Sequence, residues 1–488
     1  MLLEFVIAVI LSQVVLGLFL WYQVRDLYRF PNYFGFPVFG NLYYFYKGLC
    51  FKSLHTLYTY QKEISDKVGN GIFFAYIKGR PSVVLSCPYI VEEIAYNPNA
   101  SEKAHNVYGT VNKLIKGIFM YCPIDSEWKL RRKETNNSLS KTLVDGFYSE
   151  IFKNMGRELA KVFKTHQDNV DLIFHCTFAS INAVLFTHCG VEKPLPEKRR
   201  FFHTWTQILE FISLILSNPL VSLVFSFTYK LFDKFLMKRV DLLINQVGGS
   251  LRGKLKNVLK DPSTESKFLP LSVVIALRIK NRKLSGFELN KELYEMLVAG
   301  SHTASVILTG CFAYMATLPE IQEKVWREQY EIFGTSDRDP NLEDLRKMTY
   351  MDKFIKEILR FFSPGFIAKH TTGEVKAGGV TIPAGIPMYF LLGKLRNDTK
   401  FWDDPQVFNP ERAFDDKPKF SHAAFGVGIR SCPGMLYAKQ ELKIVLSIII
   451  RNFKLSSQQK YEDFRYESHL MPEIKNLKPI QVEQRMCN

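Results

Sequence analysis

The chain lacks any C-x-x-C pair. Its eight cysteines, at positions 50, 87, 122, 176, 189, 311, 432 and 487, are scattered, so neither a zinc site nor a disulfide framework is indicated. That usage suits a reducing compartment. It also lacks zinc-finger spacing and any RNP-like stretch, which argues against nucleic acid as the partner. No internal repeat and no low-complexity tract is present, which leaves out solenoids and disordered tails. Acid is in deficit: 64 Lys plus Arg face 48 Asp plus Glu, for a net charge of +16. The surplus gathers at Lys129 to Lys133, Lys198 to Arg200, Arg252 to Lys260 and Arg278 to Lys283. Such a balance favours an acidic partner or an anionic membrane surface, with plain solvated faces as the simpler explanation.

What is present begins with an apolar run. Leu2 to Trp21 contains one charge, Glu4, near its end. A helix of about 20 residues spans roughly the 30 Å of a bilayer core, so the segment predicts a membrane anchor. Trp21 and Tyr22 suit the interface, and Arg25 and Arg29 follow, which places the body on the cytoplasmic side. A cleaved signal peptide fits less well, because the amino end has no basic region and no A-x-A site follows. Pro31, Pro37 and Gly40 then predict a stiff connector. A second apolar tract, Phe211 to Phe227, is broken at Ser217-Asn218-Pro219 and predicts two short helices, either touching lipid or buried.

The body reads as mostly α-helical, with successive amphipathic patterns and short polar joints. Ser285-Gly286-Phe287-Glu288 matches a capping box, and the pattern it opens runs without proline to Leu318, predicting one long central helix. Another helix is predicted from Thr349 to Phe362, before Ser363-Pro364. Thr371 to Phe390, with Gly378-Gly379 and Pro383-Ala384-Gly385, predicts short strands and turns forming a small side sheet.

The stretch Phe425 to Gly434, FGVGIRSCPG, precedes a helical pattern. A thiolate held against haem iron needs shelter from water and donors for its charge. A tight glycine loop feeding a helix amino terminus supplies both. Gly428 and Gly434 permit the turn, Arg430 can pair with a haem propionate, and Phe425 can cover the Cys432 sulfur. A buried cysteine in a glycine-rich loop is the alternative. Glu357 and Arg360, three apart on one helix face, can form a pair shared with Arg412 of Pro410-Glu411-Arg412. Trp128 and Arg132 lie one turn apart and suit a second propionate.

Together these stretches resemble the cytochrome P450 family. The pattern F-x-x-G-x-R-x-C-x-G is matched at every fixed position, and W-x-x-x-R, E-x-x-R and P-E-R occur in the family's order. The resemblance covers essentially the whole chain. It implies a mainly α fold with small β-sheets, as a single haem domain at 49–488, after an anchor at 1–24 and a linker at 25–48. It further implies non-covalent haem b with Cys432 as axial ligand to the iron. Propionates would be held by Arg430, Trp128 and Arg132, with Glu357, Arg360 and Arg412 as structural supports. Electrons would come from NADPH through a membrane-bound reductase, with cytochrome b5 as a further partner, at the endoplasmic reticulum membrane. Substrates would be hydrophobic: fatty acids, hormone-like steroids or terpenoids, or xenobiotics. Phrases such as Lys356 to Arg360 and Trp402 to Arg412 look most like the insect clan related to fatty-acid ω-hydroxylases.

The chain departs from the family in its central helix, Ala299-Gly300-Ser301-His302-Thr303-Ala304. The family's acid is His302 here, and its second hydroxyl is Ala304. Gly300 would make room for dioxygen and Thr303 would steer protons. A histidine titrates near neutrality and can relay protons, or else His302 turns into a neighbouring helix. Ala299 stands where some ω-hydroxylases carry a Glu that bonds to haem. Ala413 replaces an aromatic, and Lys369 with His370 stands where an arginine often reaches a propionate; both substitutions would loosen haem retention. Two rival functions follow: a haem-thiolate isomerase or dehydratase that needs no NADPH, and a non-catalytic haem- or lipid-binding membrane protein.

Overall fold

The computed structural model describes residues 71–77, 80–105, 107–109, 123–189, 198–217, 295–468 and 471–485, together with residues 11 and 15. Apart from residues 11 and 15, the anchor and the linker lie outside these residues. So do the capping box at 285–288, the break after Ser217, and the basic clusters at 252–260 and 278–283.

Of the longer helices, α1 (Ser126–Ser138), α2 (Ser149–Thr165), α3 (Leu172–Cys189), α4 (Lys198–Ser217) and α5 (Glu295–Thr317) come first in the chain. After them come α6 (Pro319–Phe333), α7 (Thr349–Phe362) and α8 (Met435–Asn452). Their boundaries follow local chemistry. Asp125 caps α1 by accepting from Trp128 N–H at 2.7 Å. Pro319 ends α5 and opens α6, which stops at Gly334 with φ +59°. α7 covers the span expected for it, because Met351, Phe354, Ile355, Ile358, Leu359 and Phe362 recur on one face and are all buried.

α5 differs in being buried all round from Ala304 to Ala316, as a helix at the centre of a core must be. It is the one helix among the described residues that is long and apolar enough to cross a membrane, and its burial between α3 and α7 accounts for that composition. Its first part is not α-helical. Val298–His302 forms a π turn, directly before Thr303.

The sheet is larger than Thr371 to Phe390 alone predicts. β1 (Ile72–Ile77) and β2 (Arg80–Leu85) join β7 (Pro387–Phe390), β4 (Ile367–His370) and β3 (Glu102–Lys103) in the order β1-β2-β7-β4-β3. All these pairs are antiparallel except β2–β7. The alternation in Arg80–Leu85 is masked by its run of buried Val83, Val84 and Leu85, which is why sequence periodicity misses it. β5 (Val375–Ala377) and β6 (Val380–Ile382) form a separate hairpin. Near the carboxy terminus β8 (Phe453–Ser456) pairs with β11 (Gln481–Gln484), and β9 (Tyr466–Ser468) with β10 (Pro472–Ile474).

One core group carries a measurable consequence. Glu441 on α8 is buried, its Oε2 has no hydrogen-bond partner among the described residues, and burial pushes its pKa up to about 8. Between the ordinary 4.5 and about 8 the folded chain therefore holds a proton that the unfolded chain has released. Stability from this group is fully present below that window and lost as pH rises through it. The urea midpoint is expected to fall from about pH 5 to about pH 8, and Glu441→Gln to flatten that slope.

Candidate functional site

The loop before α8 is shaped by backbone that few residues tolerate. Gly426 and Gly428 have φ of +79° and +73°. A Cβ on Gly428 would sit 1.7 Å from the Ala95 carbonyl oxygen, so no side chain fits there. The turn is closed by hydrogen bonds from Gly426 N–H to Ala423 O, Ser431 N–H to Gly428 O and Cys432 N–H to Phe425 O, at 2.8 to 3.0 Å. Cys432 is exposed, whereas among the described cysteines Cys87 is half-buried and Cys176 and Cys311 are buried. Protein packed about its sulfur pushes the thiol up, while the Gly434 N–H and the Arg132 guanidinium pull it down. Those two are the donors a thiolate needs, and α8 starts at the next residue, with its positive dipole end towards the loop.

Arg430, Trp128 and Arg132 come together at this loop. The Arg430 side chain is buried; its Nη2 donates to Glu102 Oε2 at 3.1 Å, and its guanidinium lies 4.8 Å from the Trp128 ring centroid. Glu102 also accepts from Ile124 N–H at 2.6 Å. Phe425 packs on the main core, with its ring 5.9 Å from Lys439 Nζ.

Two lysines complete the group. Lys103 on β3 pairs in register with Lys369 on β4. Lys369 is fully buried, donates to Val427 O at 3.2 Å and lies over the Phe390 ring at 5.1 Å. Burial, then Lys103 and Arg430, hold its pKa down at about 7; burial and Arg430 hold Lys103 at about 8. Lys103, Lys369 and Arg430 thus crowd one another beside the cysteine loop, with Glu102 as the carboxylate bonded to Arg430. Such a set gains from a further anion.

Glu357, Arg360 and Arg412 do assemble. Both of the first pair are fully buried, and Arg360 grips the carboxylate through Nε at 2.8 Å and Nη2 at 2.9 Å. Arg412 Nε donates to Glu357 Oε1 at 3.1 Å, and the Asn409 N–H to the same oxygen at 3.0 Å. Arg412 also holds the carbonyls of Asp403, Asp404 and Val407. Arg360 Nη1 reaches the Arg396 carbonyl, and Arg396 in turn binds the carbonyls of Arg360, Ser363 and Pro364. The unit pins α7 to the loop that leads to Cys432.

On α5 the π turn frees carbonyls that local hydroxyls then take up: Ser305 Oγ donates to His302 O at 2.8 Å and Thr303 Oγ1 to Ala299 O at 2.7 Å. A Cβ on Gly300 would meet Val184 Cγ2 of α3 at 2.9 Å, so glycine at this position lets α3 and α5 pack closely. His302 is buried. Its Nε2 lies 3.4 Å from Glu473 Oε1 on β10. Burial and the Lys475 ammonium hold its pKa down at about 4, so the expected titration near neutrality does not occur.

A mostly helical body, a cysteine in a glycine loop before a helix, and a π turn in a central buried helix define the class of haem-thiolate enzymes. The Cytochrome P450 family model matches residues 31–479. Similar proteins include "Cytochrome P450 4c21" of Blattella germanica, 24% identical over 87% of this chain and 87% of that protein. "Probable cytochrome P450 313a1" of Drosophila melanogaster is 24% identical over 96% of both. "Cytochrome P450 4V2" of Mus musculus is 25% identical over 76% of this chain and 74% of that protein. The chain belongs to the cytochrome P450 family, and it is a haem-containing monooxygenase.

Proposed function

We propose that Cys432 is the axial thiolate ligand of a non-covalent haem b, and that the chain inserts one oxygen atom of O₂ into a hydrophobic substrate. The observation that carries this is the Cys432 loop: a cysteine with exposed surface, supplied with the Gly434 N–H and Arg132, in a turn that only glycine can make at 428. The residues present fit the group. Lys103, Lys369, Arg430 and Arg132 offer cations for propionates, with Trp128 stacked beneath Arg430. Buried Lys369 therefore strengthens haem retention instead of loosening it. Glu357, Arg360 and Arg412 support the loop that presents Cys432.

When bound, haem supplies the reductive activation of dioxygen. The chain's own residues hold the thiolate, screen it and guide protons. Thr303 Oγ1, already donating to Ala299 O, keeps its lone pairs free to accept a proton donor at the π turn. His302, neutral at physiological pH, sits at the turn's end beside Glu473 and can pass a proton between its two nitrogens. Electrons come from NADPH through a reductase, with cytochrome b5 as a further donor, and the net charge of +16 suits an acidic docking face. Residues 1–24 anchor the chain in the endoplasmic reticulum membrane, 25–48 link it, and 49–488 form the catalytic domain on the cytoplasmic face. The substrate is a fatty acid, a hormone-like lipid or a lipophilic xenobiotic.

With purified reductase, NADPH oxidation is expected to rise on adding a lipophile, and the product to carry one atom from ¹⁸O₂. Rearrangement of a lipid hydroperoxide with no NADPH consumed would contradict this reading and favour an isomerase.

A further inference from the structure

Lys103 and Lys369 stand directly opposite each other on the antiparallel strands β3 and β4. Like charges in that position repel. Lys369 is 1% exposed, and its Nζ lies so near the cysteine loop that a Cβ on Gly428 would sit 3.5 Å from it. Its one hydrogen bond among the described residues goes to a neutral acceptor, the Val427 carbonyl at 3.2 Å. Neither lysine pairs with a carboxylate among the described residues; Glu102, next to Lys103, is bonded to Arg430 at 3.1 Å.

The groups around the pair are mostly cationic. β3 supplies Glu102, the cysteine loop Arg430, and α1 Arg132, which acts on Cys432. β4 supplies His370, whose Nδ1 lies 2.8 Å from the Lys103 carbonyl and whose ring is 5.3 Å from that of His105. His105 is held below its usual range, chiefly by burial, with Arg80 and Glu102 also acting on it. Lys103 Nζ lies 4.9 Å from the Tyr108 ring, a phenol that burial pushes up to about 12. β7 lays the uncharged Phe390 against Lys369. Burial first, and neighbouring cations second, favour the neutral amines, which is why Lys369 at about 7 and Lys103 at about 8 lose protons near neutrality. A ligand with two carboxylates reverses that preference, since an opposite charge restores the ammonium form. Ligand and proton then each strengthen the binding of the other by the same factor.

We propose that haem retention in this chain is proton-linked through Lys369 and Lys103: the propionates are taken up together with protons on these two amines, and haem is held less tightly in alkaline solution. This rests on the reading that places the propionates at these cations. The sign follows from the amines. Below about 7 both are charged with or without haem, and retention is at full strength; as pH rises through about 7 and about 8, binding must also recharge them and weakens.

The test is the partition of haem between the detergent-solubilised holoprotein and an excess of apomyoglobin, read by absorbance across neutral and alkaline pH. Haem affinity is expected to fall about tenfold or more between about pH 7 and about pH 9, as one or two linked protons require. Lys369→Arg keeps a cation at every pH and is expected to shrink that fall about fivefold. Measuring variant and wild type against the same acceptor cancels the acceptor's own response to pH. Haem dimethyl ester, loaded in place of haem, carries no carboxylate and is expected to lose the response, while sharing the Cys432 ligation and the titration of Glu441. Equal pH response of haem and its dimethyl ester in the wild type overturns the proposal, and this comparison needs no variant to fold. An unchanged fall in a haem-loaded Lys369→Arg also overturns it. Because partition reads retention and not ligation, the expected response in a chain without a thiolate-ligated haem spectrum would sink the Cys432 assignment alone, and a thiolate spectrum with no pH response would sink this inference alone.

Discussion

Glu357→Ala is expected to cost about 3–5 kcal/mol of stability and to yield little haem-loaded protein. The carboxylate is fully buried and satisfies Arg360, Arg412 and the Asn409 N–H at once. Removing it leaves two guanidinium groups facing each other with no counter-charge, in a place water does not reach. The loss is larger than for a surface pair, where about 0–1 kcal/mol is usual. Denaturant unfolding and the haem-to-protein ratio check it. Glu357→Gln should recover only part of the loss, because an amide keeps one acceptor but not the charge. A melting midpoint for Glu357→Ala within error of the wild type would show that the triad is not a structural support.

Gly428→Ala is expected to destabilise the chain by about 2–5 kcal/mol and to lower haem content. Part of the cost is the positive φ of +73°, and the rest is the overlap of the new Cβ with the Ala95 carbonyl. Gly426→Ala separates the two effects. Gly426 has a similar φ of +79°, yet its nearest neighbour would be Ser431 Cα at 3.9 Å, ordinary contact distance. It should lose only the strain, about 1–2 kcal/mol. Equal losses for the two variants would mean that the close approach to Ala95 plays no part.

These results bear on what the sequence made legible. The Glu357 unit could be read because i and i+3 on a helix share a face, and Pro410-Glu411-Arg412 provides a rigid third arm. The helix Thr349–Phe362 was legible for the same reason, a strong 3.6 periodicity bounded by Pro364. The cysteine loop was legible because its glycines carry a backbone demand. Glu102 was not, since it lies on a two-residue strand and meets Arg430 only through the pairing of β3 with β4. The same pairing brings Lys103 against Lys369, a contact between residues far apart in the chain. The direction of His302 was equally hidden, because it lies in a π turn, where α-helical spacing no longer sets which way a side chain faces, and its neighbour Glu473 comes from a late hairpin. Strands β1 and β2 escaped because their buried runs do not alternate.

The most direct measurement is the carbon monoxide difference spectrum of the reduced full chain in membranes, for wild type and Cys432→Ala. A strongly red-shifted Soret band in the wild type that vanishes in the variant is the expected result, and it establishes Cys432 as the thiolate ligand. Absence of that band in a folded, haem-loaded wild-type chain would contradict the thiolate assignment.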